Sequence, residues 1–120
     1  IMDIQSNYTK TTEYLDKAEK LLAHYEYFEG QLEIKRIKAM LLVDKNLLDE
    51  SIHLCKEIIE ECGENFNKVK GNTYRLLAYI YIYTNKVEES ITLYEESIKL
   101  LETVDYSRGI LVALNNIGSI

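Results

Sequence analysis

The sequence predicts an all-α protein, and three observations lead to that class. Proline is absent and only five glycines occur among 120 residues, so the residues that usually interrupt helices are scarce. Apolar residues recur every three to four positions over long segments, which is the period of one face of a helix. The chain also repeats itself at an interval of about 40 residues, which accommodates a pair of helices and their turns.

Six helices follow from the apolar spacing and from the turns between them. The period is clearest in the first, third and fifth of these helices. Residues 79–83, Tyr-Ile-Tyr-Ile-Tyr, locally resemble a buried strand, so their assignment depends on the repeat. Gly63 suits a left-handed C-cap and Asp105 suits an N-cap. The predicted helices are Thr9–Tyr27, Gln31–Asp44, Leu47–Cys62, Asn67–Tyr83, Val87–Thr103 and Ser107–Ile120.

Composition limits the classes of function. Hydrophobic residues make up 47% and charged residues 28% of the chain, the balance of a folded protein. The net charge is −6, whereas a nucleic-acid-binding domain shows a basic face, so we expect no direct contact with nucleic acid. The longest apolar run, residues 76–83, is far shorter than the roughly 20 residues that span a membrane. We therefore expect a soluble chain without membrane contact.

Cys55 and Cys62 lie seven residues apart, a rise of about 10 Å on a helix, which is too far for a disulfide. We expect two free thiols and, as the default compartment, the cytoplasm. Because Ile1 precedes Met2, the chain either carries a tag remnant or was cut from a longer protein. We expect a single domain, residues 1–120, that is a fragment of a longer protein.

The repeat consists of a long helix A, a short polar turn and a helix B. A shift that places Ala39 on Ala78 aligns two such repeats, and similar shifts extend the similarity toward both ends of the chain. The matched pairs include Ala39 with Ala78, Leu42 with Tyr81, Asn46 with Asn85, Ser51 with Ser90, Leu77 with Ile117, Ala78 with Gly118, and Ser51, Cys55 and Ile58 with Thr11, Leu15 and Ala18.

Helix A of the second repeat carries, in this order, a large residue, a leucine, a small residue and an aromatic residue. Helix B carries a small residue and then an aromatic residue. These residues are Tyr74, Leu77, Ala78, Tyr81, Ser90, Tyr94 and Ser97, and Leu114, Ile117 and Gly118 open the next repeat. The pattern resembles the tetratricopeptide repeat (TPR) family, in a long-helix variant like those of bacterial regulatory and signalling proteins.

The resemblance implies a right-handed α-α superhelix of antiparallel helix pairs, whose concave face is lined by the A helices. It implies that Ala78 and Gly118 let helices A and B touch closely. The implied segments are a leading B-like helix over 1–29, repeat 1 over 30–66, repeat 2 over 67–105 and the first helix of repeat 3 over 106–120. The residues that would pack the repeats together are Ala39, Leu42, Ser51, Cys55, Tyr74, Leu77, Ala78, Tyr81, Ser90, Tyr94, Ile117 and Gly118.

The family's architecture also implies a groove. Arg36, Arg75 and Asn115 occupy the same place in successive repeats, and such a row of donors could hold the backbone or carboxylates of an extended peptide. Tyr79 and Tyr83 would add amphipathic contact area beside them. The expected groove residues are Arg36, Met40, Asn72, Arg75, Tyr79, Tyr83, Asn115 and Ser119.

Catalytic and metal chemistry is not expected. Glu50 and His53 have the spacing of a helical metal pair, but a di-iron bundle needs a second such motif. Cys55 stands where Tyr94 stands in the next repeat, so packing is favoured over reactivity. The sequence has no glycine-rich phosphate loop. We expect no enzyme activity, no cofactor and no metal.

Two function classes remain open. In the first, the chain is a non-catalytic module of a larger cytoplasmic protein in signalling or transcription regulation, and it binds a peptide or partner protein segment in the groove. In the second, it is a structural spacer or oligomerisation element. That role would use the uncovered ends of the superhelix, with a homodimer through Leu114 and Ile117 of the last helix.

Overall fold

The computed structural model describes the backbone of residues 4–104 and 107–119 and the side chains of residues 10, 12–104 and 109–119. Those residues form helices and short turns, without a strand, so the predicted all-α class is confirmed. None of the described helices is both long and apolar enough to cross a membrane. The helices are α1 (Ile4–Asp44), α2 (Leu48–Cys62), α3 (Asn67–Tyr83), α4 (Val87–Thr103) and α5 (Ser107–Ser119).

The observed ends of α2 to α5 lie close to the predicted ones. Both ends of α3 and α4 coincide with the prediction, and the strand-like residues 79–83 are helical. Helix α2 begins one residue later than predicted. Gly63 has the expected positive φ of 55°, although its ψ of −125° lies outside the left-handed helical region. The predicted N-cap Asp105 and the predicted last helical residue Ile120 lie outside the described residues.

The prediction of two separate helices before Asp44 is wrong, because α1 runs without a break from Ile4 to Asp44. The predicted break covers residues 28–30 and includes Gly30. A single glycine inside a helix costs only about 1 kcal/mol relative to alanine, and each further helical residue adds a backbone hydrogen bond once the helix is nucleated. Without a proline beside it, Gly30 therefore does not end the helix.

The chain divides into two compact units, residues 1–31 and residues 32–120. In the first unit the described side chains are exposed, apart from the half-buried Glu29. The second unit contains the hydrophobic core. We call residues 32–44 of α1, together with α3 and α5, the A-type helices, and we call α2 and α4 the B-type helices.

The core of the second unit consists of three clusters, and each cluster joins a B-type helix to the A-type helices before and after it. Two clusters lie around α2 and one lies around α4. The clusters are Ala39, Cys55, Leu77, Ile80 and Tyr81; Leu32, Ile58, Cys62 and Val69; and Ala78, Tyr94 and Ala113. Every B-type helix is thus packed between two A-type helices.

The same hydrogen bond joins residues 32–44 of α1 to α2 and joins α3 to α4. Ser51 Oγ donates to the carbonyl oxygen of Ala39 at 2.8 Å, and Ser90 Oγ donates to that of Ala78 at 2.8 Å. All four residues are buried. Since a hydroxyl can reach a helical backbone only where the intervening side chain is small, the alanine and the serine together set the close approach of the two helices.

The close approach expected at Gly118 is not observed. Gly118 is exposed, and a Cβ added there would have nothing within 4 Å, because no helix follows α5 among the described residues. A close approach that the sequence did not reveal occurs at Gly71 instead. A Cβ added at Gly71 would lie 2.8 Å from Cγ of Leu101, and the Gly71 carbonyl accepts a hydrogen bond from Ser97 Oγ at 2.7 Å.

The two A–B turns place asparagine in the left-handed region. Asn46 has φ 61°, and Asn85, its equivalent in the next repeat, has φ 63°. Asparagine tolerates this conformation better than other residues with a Cβ. We expect Asn85→Ala to lower the free energy of unfolding by about 1 kcal/mol, whereas Asn85→Gly leaves it equal or higher. Urea denaturation of the three proteins checks this, and equal stability of the alanine and glycine variants would contradict it.

Candidate functional site

A cleft of about 370 Å³, here called the main cleft, lies in the second unit. Every residue that lines it belongs to an A-type helix, and five of them were predicted groove residues: Arg36, Met40, Asn72, Arg75 and Tyr79. The full lining is Arg36, Met40, Val43, Asp44, Asn72, Arg75, Leu76, Tyr79, Val112 and Asn116. The main cleft thus brings together residues from three helices that are far apart in sequence.

A second cleft of about 330 Å³, here called the side cleft, adjoins the main one. It is lined by Tyr79, Ile82, Val87, Asn116 and Ser119. The two clefts share Tyr79 and Asn116, so they form neighbouring parts of one surface. The predicted groove residue Ser119 lies in this side cleft.

Two predicted groove residues, Tyr83 and Asn115, line neither cleft. The neighbouring residue Asn116 lines both. Because successive residues of a helix differ by about 100° around its axis, a register error of one residue is enough to exchange Asn115 for Asn116. Asn115 is exposed, and its carbonyl oxygen accepts a hydrogen bond from Ser119 Oγ at 2.9 Å.

Arg36 is held in place by a residue of its own helix. Its Nε and Nη2 donate to Oε2 of Glu33 at 3.1 and 2.9 Å, and its Nη1 lies 3.4 Å from Sδ of Met40. The carboxylate offsets the charge of the guanidinium at this end of the main cleft. Arg36 is therefore pre-oriented, because two of its nitrogens share one acceptor.

Arg75 and Asn116 lie against the buried Tyr94. Arg75 Nη1 donates to the carbonyl oxygen of Gly109 at 3.4 Å, which joins α3 to α5. Asn116 Nδ2 donates to the hydroxyl oxygen of Tyr94 at 3.0 Å. Burial raises the pKa of Tyr94, while the Asn116 hydrogen bond and the Arg75 charge act in the opposite direction. The cation, the amide and the phenol form one polar group at the junction of α3, α4 and α5.

Oδ1 of Asn72 is the one buried side-chain oxygen or nitrogen without a hydrogen-bond partner among the described residues. Asn72 is only 4% exposed, lines the main cleft, and its Oδ1 accepts no hydrogen bond. Leaving such an oxygen unpaired costs about 1–3 kcal/mol. Asn72 lines the main cleft, so a rotation of its amide toward the cleft would let a ligand N–H group recover that free energy.

Tyr79 and Tyr83 form an aromatic pair on one turn of α3. Their hydroxyl oxygens are 2.8 Å apart, and their ring centroids lie 5.0 Å apart at an angle of 73°. The hydrogen bond with Tyr83 is the main cause that raises the pKa of Tyr79, and burial adds to it. Tyr83 thus orients the ring of Tyr79 at the border of the two clefts without lining either.

Cys55 occupies a packing position. Its side chain is fully buried in the cluster with Ala39 and Ile80, and burial raises the pKa of the thiol to about 11. At neutral pH the thiolate, which is the reactive form, is therefore scarce. Within the described residues, His, Cys, Asp and Glu do not gather in groups of three that could hold a metal ion.

Comparison of this chain with protein-family models, curated proteins and solved structures gives no match. The internal repeat and the two clefts are therefore the features from which a function can be inferred. The main cleft is the stronger candidate site, because a positioned cation, apolar walls and a buried amide with an unpaired oxygen lie in its lining.

Proposed function

We propose that this chain is a non-catalytic protein-interaction module that binds an extended peptide, or an extended segment of a partner protein, along the main and side clefts. The observation that carries the proposal is the unpaired Oδ1 of Asn72 in a cleft built from three A-type helices. The TPR-like residues and the packing of each B-type helix between two A-type helices support a TPR-like superhelix as the scaffold.

The lining of the main cleft suits a peptide backbone. An extended peptide offers free N–H and C=O groups. Asn72 supplies an acceptor for an N–H group, and the side-chain amide of Asn116 can both donate and accept. Apolar walls for the side chains of the peptide come from Met40, Leu76 and Val112. The two clefts, at about 370 and 330 Å³, are each the size of a small ligand site, which fits a few peptide residues.

The charges of the main cleft favour a peptide without a strong net charge. Glu33 offsets Arg36, and Asp44 and Arg75 place charges of opposite sign in the lining. Asp44 would repel a strongly acidic ligand, and Arg75 would repel a strongly basic one. We therefore expect ligands with apolar side chains that are recognised mainly through their backbone.

Selection from a displayed library of random peptides tests the proposal. We expect the full chain to enrich a peptide family, and we expect the double variant Arg75→Glu, Tyr79→Ala to bind those peptides at least about tenfold more weakly. A matched control, Lys56→Glu with Tyr14→Ala, makes an equivalent charge reversal and ring deletion at exposed positions outside both clefts and should bind like the unmodified chain. No enrichment, or equal binding by all three proteins, would refute the proposal.

The variant Asn72→Leu separates binding from folding. Replacing the unpaired amide by an apolar side chain of similar size removes a buried polar group, so we expect the free energy of unfolding to stay equal or rise by about 1–3 kcal/mol. The selected peptides should nevertheless bind about tenfold more weakly, because one backbone hydrogen bond is lost. Undiminished peptide binding would show that Asn72 is not a ligand contact.

A structural or oligomerisation role is the second candidate. The observation in its favour is the apolar surface of α5, where Leu111 and Leu114 are exposed. Self-association of the chain in the absence of any selected peptide would favour this role.

A further inference from the structure

Asn116 is the residue of α5 that the two clefts share. It lines both the main cleft and the side cleft, together with Tyr79 of α3. A peptide that runs from one cleft into the other would pass this side chain. The amide can present either its N–H groups or its carbonyl oxygen there, and that choice decides which ligand group binds beside it.

The orientation of the Asn116 amide is set by Tyr94 of α4. Nδ2 of Asn116 donates to the hydroxyl oxygen of Tyr94 at 3.0 Å. Because the nitrogen and the oxygen of an amide lie on different sides of one carbon atom, this bond turns Oδ1 away from Tyr94. Among the described residues, none donates a hydrogen bond to that Oδ1. Oδ1 is therefore an oriented acceptor that remains for a ligand.

Tyr94 can restrain Asn116 because its own side chain has a fixed place. It is fully buried, and it packs between Ala78 of α3 and Ala113 of α5. Close packing of this kind confines a ring to one rotamer. Burial also raises the pKa of Tyr94, so the hydroxyl stays neutral at physiological pH. The hydroxyl oxygen is thus a stationary acceptor for the amide of Asn116.

The preceding residue, Asn115, lacks this restraint. It is exposed and lines neither cleft. Its backbone carbonyl accepts a hydrogen bond from Ser119 Oγ, but its side-chain amide makes none with the described residues. Two adjacent asparagines of α5 therefore differ in whether Tyr94 orients them, and Asn115 is a matched control for Asn116.

We propose that Tyr94 is a positioning residue for ligand binding, whose buried hydroxyl holds the Asn116 amide so that Oδ1 accepts a backbone N–H group of the peptide at the border of the two clefts. The inference rests on the proposed function, since it names the ligand group that the clefts receive at that border. Tyr94 is fully buried and does not touch the ligand. Its hydroxyl acts on affinity through Asn116, whereas its ring acts on stability.

Hydrogen exchange of the side-chain amides in the free chain, followed by nuclear magnetic resonance, tests the positioning. We expect the bonded Nδ2 proton of Asn116 to exchange with water at least about fivefold more slowly than the Nδ2 protons of Asn115. Tyr94→Phe should remove most of that difference and leave Asn115 unchanged. Exchange at Asn116 that is the same in the unmodified chain and in Tyr94→Phe would overturn the positioning.

A double-variant cycle with one selected peptide tests the effect on binding. The four proteins are the unmodified chain, Tyr94→Phe, Asn116→Ala and the double variant, each shown to be folded by circular dichroism. We expect each single variant to bind about fivefold more weakly, and the double variant to bind no more weakly than Asn116→Ala. A Tyr94→Phe variant that binds like the unmodified chain would overturn the proposal. So would a double variant weakened by the product of the two single effects, which a merely structural role of the hydroxyl would give.

Asn116→Asp tests which group the amide presents to the peptide. One carboxylate oxygen keeps an acceptor at the border and the other can accept the hydroxyl proton of Tyr94, so we expect binding within about threefold of the unmodified chain. The control Asn115→Ala, outside both clefts, should bind like the unmodified chain. A loss in Asn116→Asp as large as in Asn116→Ala would overturn this inference alone. A chain that selects no peptide from the library would refute the proposed function as well.

Discussion

Tyr94→Ala is expected to cost about 3–5 kcal/mol of the free energy of unfolding and to unfold most of the second unit. Tyr94 heads the fully buried side chains in volume, and it packs between Ala78 of α3 and Ala113 of α5. Its removal leaves a cavity that two alanines cannot fill, because their own side chains are too short to move into the space. Urea denaturation followed by circular dichroism measures the loss, and a marginally stable domain would show reduced helicity even without urea.

Tyr94→Phe is the matched control for this variant. It keeps the ring and removes only the hydroxyl that accepts the hydrogen bond from Asn116, so we expect a loss of about 1 kcal/mol. A Tyr94→Ala variant that is no less stable than Tyr94→Phe would mean that the ring does not hold α3, α4 and α5 together.

The ends of α3 and α4 could be predicted because local chemistry and the repeat point to the same residues. Asn46 and Asn85 favour the left-handed turn that separates helix A from helix B, and they occupy the same place in successive repeats. The helical assignment of residues 79–83 came from the repeat alone, since β-branched and aromatic residues suit a strand equally well. Tertiary packing on α2 and α4 decides the conformation there.

The break expected at Gly30 could not be decided from the sequence. A glycine followed by Gln31 is compatible with a turn and with the interior of a long helix, and the difference is about 1 kcal/mol. Only tertiary packing could favour a turn over the helix there, and the residues around Gly30 do not reveal such packing. In the structure α1 continues through Gly30.

The main cleft was largely predictable because A-type residues that share a place in the repeat come together. Arg36 and Arg75 both line it, as their equivalent places in the two repeats imply. In α5 the clefts are lined by Asn116 and not by the predicted Asn115, since no turn or cap near these two residues indicates which of them faces the cleft. The unpaired state of Asn72 depends on which side chains surround it, so it could be seen only in the structure.

The close approach of α3 and α4 at Gly71 also could not be predicted from the sequence. In the sequence Gly71 stands inside a predicted helix, where glycine is unfavourable, and nothing nearby explains it. In the structure it faces Leu101 of the following helix, and its carbonyl accepts the hydroxyl of Ser97. The alanines of the other close contacts were recognisable because Ala39 and Ala78 recur at the repeat interval, whereas Gly71 has no counterpart of its size one repeat earlier or later.

Gly71→Val is therefore expected to cost about 3 kcal/mol. The first carbon of the new side chain would lie 2.8 Å from Cγ and Cδ2 of Leu101 and 3.3 Å from Cβ of Leu100, and valine adds two further carbons to that contact. Because Leu101 is fully buried, it cannot move aside, and α3 and α4 must separate. Their separation also weakens the hydrogen bond from Ser97.

The control for this variant is Gly118→Val. It makes the same change inside α5, where a Cβ has nothing within 4 Å, and we expect a change of less than about 1 kcal/mol. Gly118 is the next-to-last residue of α5, where the helix preferences of glycine and valine have less effect than inside α3. A large difference between the two urea midpoints therefore reports mainly the contact with Leu101. Equal midpoints would show that α3 and α4 tolerate a wider spacing, and that the glycine is not what allows them to pack.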